Sequence, residues 1–387
     1  MNLIRKISRK LAYKLLDKLV IKKQDFSNLI DCSLIRDEYF FEPLYSNTNS
    51  NLLRYKDMDM PNSFHVSPHY LYKASNVSLI GPYGIPITSK GKIIGEVFGG
   101  TVIKCIRRTI AELGLLTFII HYLKALIPFK SYPIHSGFYL VPRHGYGINK
   151  PNYCHWILEN LPQLFSLEHI EERPKIIVNE TLTKWQIESL QQINLNQDDI
   201  FSMPISGSIA IKNFYFSTIR SASSSDSDRD PKGRSWVKDA MKIKFKSSPI
   251  KKKRIFLSRQ DMPRGFISNM NMLEPILRDC NIEIFQPGRI SFQDDLDYLK
   301  DVELIIAPHG AGLANMIFSN NCHIIEIVTG IKSCSDFFYM TALEFNHTFE
   351  TVFAKRDYNY ESNNNVEEAW ILDTLEVKKA LNGFLEC

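Results

Sequence analysis

The sequence predicts an α/β protein of two domains, and three observations carry that expectation. The chain has 387 residues, enough for two domains at roughly 100–200 residues each. Hydrophobic residues make up 44% and charged residues 23%, which excludes a disordered chain and a polytopic membrane protein. From about residue 253, short β-rich runs alternate with helical stretches, the pattern of a parallel sheet covered on both faces.

The first element is basic. Between Arg5 and Lys23, eight Lys or Arg side chains are opposed only by Asp17, although the whole chain carries a net charge of only +5. Leu3, Ile7, Leu11, Leu15 and Leu19 recur every fourth residue beside a row of Lys6, Lys10, Lys14 and Lys18, so residues 1–25 are expected to form a basic amphipathic helix. Residues 1–23 can then lie on an anionic membrane surface, or dock on their own domain with the lysines in solvent. The lysines interrupt every apolar run, which argues against a secretory signal. The seven cysteines are odd in number, scattered and never in a CxxC pair. They read as reduced thiols of a cytoplasmic protein, peripheral at the membrane if the helix binds there.

An acceptor-side domain is expected over 26–230 and a second α/β domain over 231–387. Residues 78–95 mix short β-rich runs with Gly81, Pro82, Gly84, Pro86 and Gly91, so strands joined by tight turns are expected. The apolar stretch 113–129 is too short to span a membrane and reads as a buried helix. Residues 152–169 should be helical, 175–178 a strand, 182–193 a helix and 209–217 strands. The Ser- and Asp-rich stretch 221–234 reads as a loop. Beyond it follow strand 253–258, helix 271–280, strand 282–285, helix 291–300, strand 303–307, helix 312–318 and strand 323–328. A helix is expected from about Val366, crossing back over both domains.

The chemistry-bearing motifs fall at strand ends. Pro308-His309-Gly310-Ala311-Gly312 follows strand 303–307, with Asn315 available to brace the loop. Small residues at a helix mouth let backbone N–H groups approach an anion, so a phosphate site is expected there. Neither GxGxxG nor GxxxxGK[ST] is present. Ser258, Arg259 and Arg264 follow the strand 253–258, and paired arginines can neutralise a diphosphate without a metal. His155 and Glu159 are four apart on the expected helix, a workable general base with an orienting carboxylate. Glu326, among apolar neighbours, either accepts ribose hydroxyls or finds a partner inside the core. Lys251 to Arg254 reads as the solvated approach to a buried strand, not as a nucleic-acid site.

Three segments, NYCHWILENLPQL, LSRQDMPRGFISN and IIAPHGAGLANMIFSNNCHIIEI, together resemble glycosyltransferase family 61 over about residues 78–330. IGPYGIPIT also resembles microbial members that build capsular polysaccharides. The resemblance implies two Rossmann-like lobes of the GT-B type and an inverting, metal-independent transferase. It also implies a nucleotide-sugar donor as co-substrate, no cofactor, and a glycan or lipid-linked glycan acceptor. Donor and phosphate contacts are carried over to Ser258, Arg259, Arg264, His309, Gly310, Ala311, Gly312, Asn315 and Glu326, with the later Asn of that motif on Asn269. Acceptor-side contacts are carried over to Tyr153, Trp156 and Asn160. His155 or Glu159 is the expected base. One departure is Asp295, where the family usually has Gln. Two alternatives stay open: a metal-dependent transferase using Asp226 and Asp228, and a non-catalytic binding member of the same fold.

Overall fold

The computed structural model describes residues 18–21, 30–41, 64–127, 131–141, 151–179, 181–220, 229–242, 252–262, 264–329, 337–358 and 368–385. They form a mixed α/β structure with parallel-rich sheets. The chain divides into two compact units, Met1–Tyr39 with Ser67–Ser221, and Phe40–Val66 with Ala222–Cys387.

The strands of the first unit begin with β1 (Val20–Ile21) and β2 (Ile30–Arg36). A short pair, β3 (Tyr39–Phe41) and β4 (Phe64–Val66), comes next in the chain. Then come β5 (His69–Ile80), β6 (Ile85–Thr88) and β7 (Ile93–Ile94), helices α1 (Val102–Leu113) and α2 (Leu115–Ala125), and β8 (Ile134–Tyr139). A helical run over 153–169 leads to β9 (Lys175–Val178), α3 (Lys184–Gln192), β10 (Ile200–Ser202) and β11 (Ser208–Ser217). The nine-stranded sheet runs β1-β7-β6-β5-β11-β8-β9-β10, with β2 also on β5. Its β11-β8-β9-β10 half is parallel, while β2, β5, β6, β7 and β11 pair antiparallel. That antiparallel half departs from a Rossmann-like lobe. The punctuation at Gly81 explains it: at φ +67°, with its α-carbon close against Thr109, it turns β5 straight back into β6.

Residues 1–17, most of the expected basic helix, lie outside the described residues. Lys18 and Leu19 are helical, but Val20 and Ile21 form β1, parallel to Ile93 and Ile94, so the helix does not continue to residue 25. Val20 packs over Gly95, and two β-branched residues meet an open sheet edge, which favours extension over a further helical turn. The expected buried helix over 113–129 is also corrected. Gly114, at φ +81°, breaks it into α1 and α2, and most of the large apolar side chains of α2 are exposed.

In the second unit, α4 (Pro231–Ala240) starts inside the expected loop, capped by the Asp230 carboxylate on the Gly233 N–H. Pro231 at its first position and Asp230 as cap are a helix start within a loop-like composition. Next come β12 (Lys253–Leu257), β13 (Arg264–Ile267), α5 (Met270–Asp279), β14 (Glu283–Phe285), α6 (Phe292–Leu299), β15 (Val302–Pro308), a short 3₁₀ helix (Ala311–Phe318) and β16 (His323–Val328). Then α7 (Phe337–Glu344), β17 (Thr348–Arg356), β18 (Glu368–Leu372) and α8 (Thr374–Leu385) complete it. The expected helix from Val366 is therefore preceded by a strand, and α8 packs on β17 and α5 within its own unit.

The sheet order is β13-β18-β17-β16-β15-β12-β14, and the run from β14 to β17 is parallel. Its central strands are buried over almost their whole length, as continuous apolar runs require between two helical layers. Chain order changes direction at β12, with β14 on one side and β15 on the other. A crevice at the carboxyl ends of such strands is where open α/β sheets bind ligands.

Candidate active site

The two strands that flank this crevice end in the two motifs. β15 ends at Pro308, and the His309 N–H still donates to the Ile327 carbonyl at 2.7 Å, so the loop leaves the sheet at Gly310. His309 Nδ1 lies 2.7 Å from Glu326 Oε1. The register pairs Ala307 with Glu326, which sets the carboxylate behind the imidazole. Glu326 is fully buried and His309 about one-third exposed. An acceptor at Nδ1 fixes the tautomer, leaving Nε2 for a ligand. Phe338 packs edge-on against the ring, with centroids 5.4 Å apart. Glu326 therefore finds a partner inside the core, His309, the second of its two expected roles.

Arg259 follows β12 by two residues. A β-carbon on Gly310 would fall 1.5 Å from its Nη1, and one on Gly265 would fall 3.5 Å from its Nε. The guanidinium thus lies against the bare backbone of Gly310, with Gly265 on its Nε side. Gly265, at φ +71°, also has a conformation open mainly to glycine. Arg259 and His309, 50 positions apart in sequence, meet at one loop. Gly310, Ala311 and Gly312 are half-buried, whereas Leu313 to Phe318 are buried, so the loop presents its small residues outward. Asn315 is buried within the short helix, as a brace must be.

Ser258 is buried, and its hydroxyl accepts from the Gln260 N–H at 3.3 Å. It opens onto a cavity of about 430 Å³ lined by Gln260, Phe266, Ile267, Ser268, Met270, Asn271, Glu274 and Ile284. That size suits a ligand part such as a nucleoside. Sequence reasoning missed this lining because it expected no strand between 258 and 271. Arg264 opens β13 opposite Glu368. Asn269 makes two hydrogen bonds to the Leu372 backbone, 2.9 and 3.0 Å, which ties β13 to β18. Asp295 is buried and accepts from the Gly288 N–H at 2.7 Å, so it closes the turn before α6.

The short helix is pinned from below. His347 is fully buried; its Nδ1 accepts from the Cys322 N–H at 3.1 Å, and its Nε2 donates to the Met316 carbonyl at 2.9 Å. Burial, aided by nearby Lys238, lowers its pKa to about 4. The imidazole is therefore neutral at ordinary pH, the form both bonds need.

In the first unit, the helical run begins with Asn152, whose side chain accepts from the Cys154 and His155 N–H groups. One α turn (Tyr153–His155) passes into a π segment (Trp156–Asn160) and then a 3₁₀ segment (Leu161–His169). Pro162 has no N–H to donate to the fourth residue back, and the Leu161 N–H reaches Trp156 instead. Such π turns recur at functional sites. His155 Nδ1 lies 3.0 Å from Glu159 Oε2; the imidazole is a quarter exposed and the carboxylate buried. Two expected acceptor contacts are corrected. Trp156 is buried with its indole N–H donating to Ser189 at 2.9 Å, and Asn160 is buried as well. Trp156 anchors the segment, and neither side chain is open to an acceptor. Tyr153 is half-buried, edge-on to Trp185.

Asp226 and Asp228 lie outside the described residues. Among the described residues no group of three or more His, Cys, Asp or Glu could hold a metal ion.

Arginine and histidine at a glycine-lined strand-to-helix turn, beside a nucleoside-sized cavity, suit an enzyme that handles an activated, phosphate-bearing donor. Residues 153–325 match the model of the family described as Glycosyltransferase 61. The protein is a glycosyltransferase, and this segment is its family 61 domain. The match contains His155, Glu159, Ser258, Arg259, Arg264 and His309 and stops one residue before Glu326. It is shorter than the resemblance over residues 78–330. No curated protein matches the sequence.

Proposed function

We propose that the protein transfers a sugar from a nucleotide-sugar donor to a glycan or lipid-linked glycan acceptor, with inversion, in cell-surface polysaccharide or glycoconjugate synthesis. One observation carries this reading: the Arg259 guanidinium rests on Gly310 beside the His309–Glu326 pair, at the carboxyl ends of β12 and β15. The donor diphosphate fits there, against Arg259 and the loop N–H groups, with His309 Nε2 free to accept from a donor hydroxyl. The nucleoside fits the cavity beside Ser258. The two units act as the lobes of a GT-B transferase in this reading.

The reaction is a single displacement. An acceptor hydroxyl oxygen bonds to the anomeric carbon as its proton passes to His155, which Glu159 orients. The bond from that carbon to the phosphate oxygen breaks, and its electron pair leaves with the diphosphate. Arg259 and the loop N–H groups stabilise the charge that develops there. The Arg259 guanidinium thus takes the part a divalent ion takes elsewhere, so transfer should persist in excess chelator. Residues 1–23 would hold the protein at the cytoplasmic face of an anionic membrane.

The test is donor turnover by purified variants, after calorimetric screening of nucleotide sugars identifies the donor. Arg259→Ala and His155→Ala should each lower turnover by about a hundredfold or more with little change in thermal midpoint. Near-normal transfer by both would refute the site. Donor binding without hydrolysis or transfer would instead favour a non-catalytic member.

A further inference from the structure

Helix α2 is held to its unit by one face only. Phe118 and Ala125 are buried, the Tyr122 hydroxyl donates to the Gly91 carbonyl at 2.7 Å, and His121 Nδ1 lies 2.9 Å from Ser208 Oγ. On its other face Leu116, Ile119, Ile120, Leu123 and Ile127 form a strip at helical spacing, and all are exposed, Leu116 to 72% and Ile127 to 63%. A strip this apolar on a soluble surface marks an interaction site.

Charge identifies what the strip meets. Residues 89–127 contain six Lys or Arg and two acids, Glu96 and Glu112. Lys90 and Lys92 are exposed on either side of Gly91, the residue that Tyr122 of α2 and Leu126 just past it touch, and Lys124 is exposed on α2 itself. Lysines therefore stand on the helix that carries the strip and beside the residue it rests on. Apolar side chains beside a basic fringe are the composition of a helix that lies in the headgroup region of an anionic bilayer. With 11 residues, α2 is too short to cross, at 1.5 Å per residue.

We propose that α2 is a membrane-docking face, its strip entering the acyl boundary of an anionic leaflet with Lys90, Lys92 and Lys124 at the phosphates. This surface belongs to described residues and is separate from residues 1–23. It does not depend on the chemistry assigned to Arg259 or His155.

The test uses the full chain and vesicles of phosphatidylcholine with and without phosphatidylglycerol. The wild type should float with the anionic vesicles, less so as salt rises. Leu116→Ser/Ile120→Ser/Leu123→Ser should weaken that binding about tenfold or more, and Lys90→Glu/Lys92→Glu/Lys124→Glu should do the same. Both triple variants should keep wild-type donor hydrolysis, which separates this proposal from the active-site reading. Undiminished binding by the serine variant would overturn it in favour of residues 1–23. A wild type that ignores vesicles would also overturn it. If that wild type is dimeric and the serine variant monomeric, a second copy covers the strip. If instead the serine variant loses several degrees of thermal midpoint, residues 1–17 cover it.

Discussion

At Gly310 the space for one hydrogen is occupied by nothing else, because Arg259 fills the position a β-carbon would need. The backbone there is extended, so the constraint is contact and not conformation. Gly310→Ala should therefore push the guanidinium off the loop while leaving β15 and the buried short helix intact. A displacement of about 1 Å at a charge-stabilising group costs on the order of a hundredfold. Steady-state kinetics should show kcat/KM for the donor falling by roughly ten- to a hundredfold, with the thermal midpoint within a few degrees of wild type. The motif residues around it, His309, Gly312 and Arg259, were legible in the sequence because glycine and arginine chemistry at a strand end is local. The pairing of His309 with Glu326 was not, since it depends on the register between β15 and β16.

The short helix Ala311–Phe318 is the element on which the loop depends, and His347 fastens its far end. A neutral imidazole accepts from Cys322 and donates to Met316; a charged one cannot accept. Burial holds its folded-state pKa at about 4, below the ordinary histidine value of 6.5. The unfolded chain thus binds this proton first as pH falls. Its contribution to stability is complete above about pH 6.5, declines as pH drops, and is lost by about pH 4, a total of about 3 kcal/mol. Urea unfolding across that range should show this slope, and His347→Gln should remove most of it. Donor turnover should fall on the acid side with the helix's anchorage. The other helical elements carry the same lesson. The run over 153–169 was expected as one helix, but Pro162 makes it three segments, and the α-to-π junction sets how far His155 stands from Glu159.

Two compact units should unfold as two events. Within the unit containing residues 222–387, Arg229 and Arg234 both pair with the buried Glu344 carboxylate, joining the start of α4 to the end of α7. Removing one partner of a buried ion pair leaves uncompensated charge, at a cost of about 3–5 kcal/mol, whereas the pair itself need contribute little. Glu344→Ala removes the shared carboxylate from two buried guanidinium groups at once. Scanning calorimetry should resolve two transitions in the wild type. The variant should lower one of them by several degrees and leave the other, from the unit of residues 67–221, in place.

The sequence by itself determined the strands β12, β14, β15 and β16, the turn at Gly81 and the location of the motifs at strand ends. Those features follow from apolar runs, glycine and proline acting over a few residues. Its motifs also marked the family 61 domain over residues 153–325. Tertiary structure alone decided the rest, because burial and partnership are relations between distant segments. Strand β13 exists through pairing with β18, Arg264 opposite Glu368 across more than a hundred residues. Trp156, whose motif pointed to an acceptor, is buried against Ser189. An apolar run cannot say whether its second face meets a core, so the stretch around Leu116 read as buried until the fold left that face of α2 in the open.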